Sequence, residues 1–273
     1  MAQPRPKNRE GGTDTSPLKS SKRIGDRYVI LAVLELIVSD TTPRSGRESR
    51  DSRRAHLERS RRVWDRWSDN YAMSEADFEP MREAAVERLD LEPGDAVLDV
   101  GCGPGVNFEL LRDAVGPDGR VVALDYSPKM LDRARARVAD HGWENVTVRR
   151  ADATRVDLDP ESFDAALAAL ATLSLSVMPS PEAAVERVHE ALRPGSRFVV
   201  FDIRSFPSGV LRVLNPLLER TLHLVANWNT DADVPAATES VFGECQVVET
   251  HFAGATYIAV ATRDGDLVSD DEH

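Results

Sequence analysis

Three alternate glycines directly follow a short apolar run and could bring the backbone close to a ligand. The run Ala96–Val100 is interrupted only by Asp99, which is typical of a strand buried on both sides. It is followed by Gly101, Gly103 and Gly105. Because glycine has no Cβ, such a loop can turn tightly against a ligand, and the next helix directs its N-terminal N–H groups to the same place. A glycine-rich turn without a ligand is the alternative interpretation of this motif alone.

Two acidic residues follow the next two predicted strands. Asp125 lies 20 residues after Gly105, and Asp152 is followed by Ala153. A carboxylate at the first position can accept hydrogen bonds from the two hydroxyls of a ribose, and one at the second can meet an adenine amino group. Taken singly, each acid could instead be a helix cap or a loop carboxylate. In register with the glycine loop, the two acids predict a nucleoside site.

The glycine spacing argues against a dinucleotide ligand. The dinucleotide fingerprint G-x-G-x-x-G needs a glycine three residues after Gly103, where this chain has Val106. Asp99 also places a carboxylate beside the glycines, which repels a pyrophosphate but attracts an ammonium or sulfonium group. These residues favour an adenosine ligand with a cationic amino-acid end, and a nicotinamide oxidoreductase is the competing enzyme class.

Strands and helices are predicted to alternate along most of the chain. Helical periodicity runs from Leu57 to Tyr71 and from Phe78 to Leu89. Further helices are predicted over residues 107–115, 128–141 and 181–192, and strands over 96–100, 120–124, 146–150, 163–170 and 197–203. Strand, helix, strand with few hairpin signals predicts the α/β class, with a doubly wound, Rossmann-like, mostly parallel sheet and helices on both faces.

The charge balance excludes one class of partner and indicates an environment. The chain of 273 residues has a formal net charge of −12, which argues against nucleic acid as a partner because its binding rests on cationic contacts to phosphate. Only four of the 34 basic residues are lysine, against 46 acids, which predicts a halophilic protein from a high-salt cytoplasm. A GC-rich genome would explain the lysine deficit but not the acids. No zinc-motif spacing is present, so no metal is expected.

The composition also predicts the domain boundaries. Residues 1–52 are expected to form a disordered extension, residues 53–263 one domain, and residues 264–273 an acidic tail. The apolar run Tyr28–Val38 contains Glu35 and follows a basic leader too long for a signal peptide, so we interpret it as part of a non-exported extension. A helix that docks on the domain and a start codon placed too early are the alternatives. We expect a cytoplasmic protein.

Several of these stretches together resemble the class I S-adenosylmethionine-dependent methyltransferases. Val97–Gly105 resembles their first motif, Asp125 with Tyr126-Ser127-Pro128 the second, and Asp152-Ala153 the third. Phe163-Asp164 and Leu192-Arg193-Pro194-Gly195 resemble the remainder, and the likeness covers roughly Val63 to Thr262. The segment from Trp64-Asp65-Arg66-Trp67 through Tyr71 is similar to the opening segment of the quinone C-methyltransferase and phospholipid N-methyltransferase branch.

The resemblance implies a fold, a cofactor and residue roles. The fold is a seven-stranded sheet whose last strand is antiparallel, with the final strands near Glu244–Thr250 and Tyr257–Thr262. The cofactor is S-adenosyl-L-methionine. Residues implied to bind it are Gly101, Gly103 and Gly105 along the methionine part, Asp99 near its amino group, Asp125 at the ribose, Tyr126 and Asp152 beside the adenine, and also Ala153 and Tyr71.

The chain departs from the family where a catalytic residue would be expected. The stretch Ala168–Leu173, taken as the segment after the fourth strand, lacks the Asn/Asp-Pro-Pro-Tyr/Phe motif that grips a flipped adenine or amide nitrogen. The catalytic residue is therefore unknown. Asp202, at the end of the fifth strand, is one candidate for a general base, and a loop carboxylate paired with Arg204 is its alternative interpretation. His223 is the other candidate, and a satisfied core or surface histidine is its alternative.

An apolar stretch between the fifth and sixth strands indicates the kind of acceptor. The stretch from Val210 to Trp228 carries more apolar residues than one buried helix face needs. It could form an apolar wall over the acceptor pocket or a lid that touches a membrane. We therefore expect a small lipophilic acceptor, such as a quinone or a lipid-like molecule, with peripheral membrane contact. A non-catalytic module that binds the cofactor and an RNA methyltransferase remain the alternatives.

Overall fold

A computed structural model describes residues 50–68, 77–158 and 166–264. Seven strands form one sheet in the order β3-β2-β1-β4-β5-β7-β6. They are β1 Ala96–Val100, β2 Arg120–Asp125, β3 Val146–Arg150, β4 Ala166–Thr172, β5 Leu192–Ile203, β6 Gln246–His251 and β7 Thr256–Thr262. Strands β1 to β5 pair in parallel, whereas β7 is antiparallel to both of its neighbours. The predicted class, strand number and antiparallel last strand are confirmed.

The helices cover both faces of this sheet. They are α1 Arg50–Trp67, α2 Glu79–Glu87, α3 Phe108–Val115, α4 Pro128–His141, α5 Pro181–Ala191, α6 Asn215–Ala226 and α7 Val234–Phe242. One buried layer joins the sheet to α2, α3 and α4, and a second joins its other face to α5 and α7. Strands with apolar side chains on both faces need this double cover, which explains the continuous apolar runs in the sequence.

Helix α1 is outside these two layers and is joined to α6. The Trp67 indole Nε1 donates to the Val225 carbonyl oxygen at 2.7 Å, and Asn227 Nδ2 donates to Ser60 Oγ at 2.7 Å. The described part of this helix runs from Arg50 to Trp67, and the domain boundary expected at residue 53 stays a prediction. The apolar run Tyr28–Val38 and the residues 265–273 of the expected tail lie outside the described residues.

Two strand ends differ from the prediction. Strand β4 continues to Thr172, because Ala171 pairs with Val100 and Thr172 with Phe201. The stretch that we took to follow the fourth strand is therefore mostly strand. Strand β5 begins five residues early, since Leu192 pairs with Ala166 ahead of a shift in register. The start predicted for β4 at residue 163 lies outside the described residues.

The loop after β4 is fixed to the sheet by a buried carboxylate. Asp202 Oδ2 accepts from the Ser176 backbone N–H at 2.9 Å, and Oδ1 accepts from the Ser176 hydroxyl at 2.6 Å and from the Ile203 N–H at 2.8 Å. Asp202 is not paired with Arg204, whose Nε donates to the Gly254 carbonyl and whose guanidinium lies over the Tyr257 ring. The loop geometry thus depends on a strand residue 26 positions away.

The buried Asp202 carboxylate should make the stability of the fold depend on pH. Burial raises the pKa of Asp202 from 3.8 to about 6, although the Ser176 hydroxyl and N–H favour the ionised form. The folded state therefore holds this proton more tightly than the unfolded state, and the resulting stabilisation is complete below about pH 4 and is lost as the pH rises through about 6. Relative to Asp202→Asn, the free energy of unfolding of the wild type should fall by roughly 3 kcal/mol between about pH 4 and pH 7 in urea titrations.

Ser176→Ala serves as the matched variant. It removes the hydroxyl that donates to the Asp202 carboxylate, so the loss of stability should move to higher pH. A difference between wild type and Asp202→Asn that stays constant with pH would contradict this assignment.

Candidate functional site

The glycine loop follows β1 and turns beneath the end of β2. Both the Gly101 and Cys102 N–H groups donate to the Leu124 carbonyl oxygen, at 2.8 and 2.9 Å. All three glycines have positive φ, 73° at Gly101, 55° at Gly103 and 82° at Gly105, a conformation that other residues rarely adopt.

The three glycines differ in what surrounds them. A Cβ added at Gly101 would lie 2.4 Å from the Ser174 Cβ, and one added at Gly105 would lie 2.4 Å from the Phe108 ring. At Gly103 an added Cβ would meet no atom of the described residues within 4 Å. Packing within the protein therefore explains Gly101 and Gly105, whereas Gly103 borders open space that a ligand could occupy.

Asp125 joins the glycine loop to the start of α4. Its Oδ2 accepts from the Gly103 N–H at 2.9 Å and its Oδ1 from the Ser127 N–H at 2.7 Å. Burial raises the pKa of Asp125, and these backbone N–H groups oppose that rise by favouring the carboxylate. Each oxygen keeps a further lone pair, so the carboxylate can still accept hydrogen bonds from a ligand.

Helix α1 is attached to this site through Ser127. The Ser127 Oγ caps α4 by accepting from the Met130 N–H at 3.2 Å, as the Ser-Pro sequence predicts, and donates to Asp65 Oδ1 at 2.6 Å. Asp65 Oδ2 in turn accepts from Arg61 at 2.9 Å. A residue of α1 therefore reaches the end of β2 across 62 positions of sequence.

Asp152 is held in the loop after β3. Its Oδ1 accepts from the Thr154 N–H at 3.0 Å and from the Thr154 hydroxyl at 2.5 Å, while Arg53 of α1 lies 3.9 Å from its Oδ2. Arg53 also donates to the Thr154 hydroxyl. The Arg150 guanidinium lies over the Tyr126 ring, with the Arg150 Cζ 5.5 Å from the ring centroid.

Asp99 is fully buried beneath the glycine loop. Both of its carboxylate oxygens lie 3.4 Å from Asn107 Nδ2, which also donates to the Thr172 hydroxyl at 2.9 Å. Burial raises the pKa of Asp99 to about 7, the Asn107 amide opposes the rise, and the nearby Asp125 adds to it. Asp99 therefore supports the loop from inside the protein.

A cavity opens where these loops meet, at the carboxyl ends of β1 to β4 and beside α1. Six of the nine residues predicted to bind the cofactor line it, namely Gly101, Gly103, Asp125, Tyr126, Asp152 and Ala153. The structure does not bring two others to the cavity, because Asp99 bonds to Asn107 and Gly105 packs on Phe108. Tyr71 lies outside the described residues.

The two candidates for a general base do not line the cavity either. The Asp202 carboxylate faces Ser176 and the strand end. His223 lies on the exposed surface of α6, with its Nδ1 3.1 Å from the Trp228 carbonyl oxygen, at the end of that helix. The structure gives Asp202 a positioning role and His223 a position at a helix end.

Sequence reasoning missed the side of the cavity that α1 provides. Leu57, Ser60, Arg61 and Trp64 line it. Two of them, Leu57 and Trp64, were part of the helical periodicity, which indicates a buried face but not what it covers. Nothing in the sequence around Arg53 or Asp65 indicates that their side chains contact distant loops.

The loop after β4 forms the apolar wall of the cavity. Leu173, Val177, Met178 and Pro179 line it together with Ser174, whose hydroxyl donates to the Val100 carbonyl at 2.8 Å. Leu173 has a φ of 51°, unusual for a leucine, and its N–H donates to the Phe201 carbonyl at 2.7 Å. Backbone strain of this kind clusters at ligand sites.

The apolar stretch between β5 and β6 does not line the cavity. None of the residues from Val210 to Trp228 is among those that line it. This segment therefore does not supply the apolar wall of this cavity, and it places apolar side chains on the protein surface, where Val210 is 83% exposed.

The described ranges contain neither a membrane-spanning helix nor a cluster of metal ligands. Among residues 50–68, 77–158 and 166–264, no helix has the length and apolar character that crossing a bilayer requires. Across the same ranges, no three His, Cys, Asp or Glu side chains are grouped as metal ligands would be.

Known proteins match the part of the chain that holds this cavity. A family model described as a methyltransferase domain matches residues 97–195. The phosphatidylethanolamine N-methyltransferase of Cereibacter sphaeroides is 31% identical over 146 residues, which cover 53% of this chain and 68% of that protein. The demethylmenaquinone methyltransferase of Symbiobacterium thermophilum is 30% identical over 148 residues, 52% of this chain and 58% of the relative.

A solved structure matches the fold. The phosphoethanolamine N-methyltransferase 2 of Haemonchus contortus, in complex with S-adenosyl-L-methionine, superposes with a TM-score of 0.55 at 14% identity, over 68% of this chain and 53% of that one. At this identity the likeness supports the fold alone. The chain spans between 28% and 58% of the length of three of the curated relatives it matches. On the strength of the family model and of a relative matched over two thirds of its length, the chain belongs to the class I S-adenosylmethionine-dependent methyltransferases.

Proposed function

We propose that this chain binds S-adenosyl-L-methionine in the cavity beside α1 and transfers its methyl group to a small lipophilic acceptor. The observation that carries the proposal is the position of Asp125. Its carboxylate lies on the cavity wall, is oriented by the N–H groups of Gly103 and Ser127, and stands at the end of the second strand, where a ribose is bound in such folds.

The surrounding residues fit the two ends of that cofactor. Gly103 leaves room that a side chain would fill, so the methionine part can run along the loop. Tyr126 and Asp152 also line the cavity and would offer an adenine an aromatic ring and an acceptor for its amino group. Asp99 is buried and is not among the residues that line the cavity, so its carboxylate, when ionised, would attract the ammonium end from beneath the loop.

When bound, the cofactor supplies an electrophilic methyl group on a sulfonium. Transfer would break the bond from sulfur to methyl and form the bond from the acceptor to methyl, with a neutral thioether as the leaving group. Holding three atoms in line can supply much of the rate, up to roughly 7–11 kcal/mol in favourable systems. The chain's contribution is to orient the reactants and, through α1, to exclude water.

The apolar wall indicates the class of acceptor. The apolar part of the cavity lining includes Leu57, Trp64, Leu173, Val177, Met178 and Pro179. Among the described residues that line it, the ionisable side chains are those of Arg61, Asp125, Tyr126 and Asp152. Arg61 is paired with Glu58 and Asp65 on its own helix. With no histidine in this lining, an apolar acceptor whose nucleophile needs no strong base fits best.

The relatives point to the same class, since one is named for demethylmenaquinone and another for phosphatidylethanolamine. An acceptor of this kind resides in a membrane, so peripheral contact of the chain with a lipid surface is part of the proposal. We place the reaction in the cytoplasm, where cysteines stay reduced, in keeping with the free Cys102 and Cys245.

Asp125→Ala should weaken the binding of S-adenosyl-L-methionine by about 10–100-fold in calorimetry, because hydrogen bonds to the ribose hydroxyls are lost. It should also lower the free energy of unfolding by about 2–4 kcal/mol, because the Gly103 and Ser127 N–H groups lose their partner. Asp125→Asn keeps one acceptor oxygen and should fall between.

The control for this experiment is Asp132→Ala, an exposed carboxylate on α4 that makes only a surface ion pair with Arg135. It should leave the affinity unchanged. The wild type should bind S-adenosyl-L-methionine and not NADH. An Asp125→Ala variant that melts earlier yet binds S-adenosyl-L-methionine normally would overturn the ribose assignment, and preferential binding of NADH would favour the oxidoreductase.

Gly103→Ala should separate ligand space from protein packing. The new methyl group meets no atom of the described residues, so the positive φ should cost only about 1–2 kcal/mol of stability, whereas the affinity for S-adenosyl-L-methionine should fall at least about tenfold. Gly105→Ala is the matched variant, and its methyl group clashes with the Phe108 ring, so it should lose more stability in the same urea titration. Affinity of Gly103→Ala within about threefold of the wild type would show that the loop does not border the ligand.

Cells that express the chain and receive methyl-labelled methionine should accumulate label in an extractable lipid. The lipid fraction should carry the label with the wild type and not with Asp125→Ala, because the cavity wall selects an apolar acceptor. Label confined to polar metabolites would contradict the lipophilic acceptor, and cofactor binding without any transfer would support the non-catalytic module.

A further inference from the structure

We propose that one face of the segment Gly209–Ala226, hereafter the insert, docks on a lipid surface that carries anionic headgroups. This inference rests on the proposed function in one respect, namely that the acceptor comes from that surface. The insert consists of a 3₁₀ turn, Val210–Leu214, followed by α6.

The insert exposes large apolar side chains. Val210, Val213 and Leu217 are 83%, 76% and 65% exposed, and Leu214 and Leu224 are also exposed. Single exposed apolar residues are normal on protein surfaces, but a contiguous group of them marks an interaction site.

These side chains share one face. Val210, Val213 or Leu214, Leu217 and Leu224 follow one another at intervals of three, four and seven residues, which aligns them along one side of a helix. An adjacent side of α6, with Leu218, Leu222 and Val225, is half-buried. The outer face is therefore apolar in addition to the face that packs on the domain.

The insert is held firmly enough to present that face. The Asn215 side chain closes two hydrogen bonds with the backbone of Phe206, at 2.9 and 3.2 Å, and the C-terminal end of α6 is bonded to Trp67 of α1. The buried Trp228 follows it. Exposure of the apolar face thus belongs to a fixed helix.

The charges on the insert fit an anionic surface. Arg212 and Arg220 are both exposed, and Arg220 lies three residues after Leu217 and four before Leu224, on the edge of the apolar face. Glu219 is half-buried and accepts a hydrogen bond from the Ser205 hydroxyl at 2.6 Å. A chain with a net charge of −12 thus presents exposed cations beside its apolar face, the pattern of helices that lie in a membrane interface.

The docked face would place the cavity near the lipid. Asn227, one residue beyond the insert, donates to Ser60 of α1, and Ser60 lines the cavity. Docking would therefore hold α1 and the cavity at a fixed distance from the surface, so that an apolar acceptor could move between the two with little exposure to water.

Vesicle binding of the full chain tests this. The vesicles consist of equimolar phosphatidylglycerol and phosphatidylcholine, or of phosphatidylcholine alone, at about 0.15 M salt. The double variant Val213→Glu, Leu217→Glu should reduce the bound fraction on the mixed vesicles by at least about tenfold, because it places two carboxylates on the apolar face. The double variant Arg212→Gln, Arg220→Gln should weaken binding to the mixed vesicles alone.

The matched control is Val247→Glu, Val248→Glu, two valines of β6 that are 38% and 37% exposed, away from the insert. It should bind as the wild type does. Equal binding by the Val213, Leu217 variant, or no binding by the wild type, would overturn the proposal. So would a wild-type dimer that the variant abolishes and that binds no vesicles, since the face would then belong to a second copy.

Calorimetry with S-adenosyl-L-methionine on the same proteins, without vesicles, separates this proposal from the proposed function. Loss of vesicle binding with unchanged cofactor affinity supports docking. A wild type that binds vesicles through the insert but not the cofactor refutes the proposed function and leaves the docking surface established.

Discussion

The carboxylate of Asp125 links the two loops on which the site depends. It stands at the end of β2, yet its two oxygens fix the glycine loop that follows β1 and the first turn of α4. Burying a carboxylate is costly, and the backbone N–H groups that point at it offset part of that cost. A single side chain therefore sets the distance between the part of the cavity that suits a methionine and the part that suits a ribose.

A second set of contacts closes the cavity from above. Asp65 reaches Ser127, Arg53 reaches Thr154 and Asp152, and Asn227 ties α1 to the end of α6. Beneath it, Asp202 fixes the loop whose apolar residues form the remaining wall. The site is thus built where α1, the strand ends and the loop after β4 meet, and its lining combines apolar side chains with the carboxylates of Asp125 and Asp152.

Local patterns predicted the parts of this arrangement that depend on local physics. Buried parallel strands read as apolar runs, and Ser127-Pro128 begins α4 as its sequence indicates. Because the strands are parallel, Asp125 and Asp152 had to reach the same edge of the sheet. Periodicity could not show that Asp202 faces Ser176, that Leu173 turns into a left-handed conformation, or that Arg53 crosses 101 positions of sequence, because those depend on packing between distant segments.

A crystal structure of the chain with S-adenosylhomocysteine would show whether Asp125 binds the ribose. We expect both ribose hydroxyls within hydrogen-bond distance of the Asp125 carboxylate, the adenine beside Tyr126, and the homocysteine part along Gly103. We also expect the Gly103 and Ser127 N–H groups to keep their bonds to Asp125. A ligand bound elsewhere, or a ribose that does not touch Asp125, would contradict the ribose assignment.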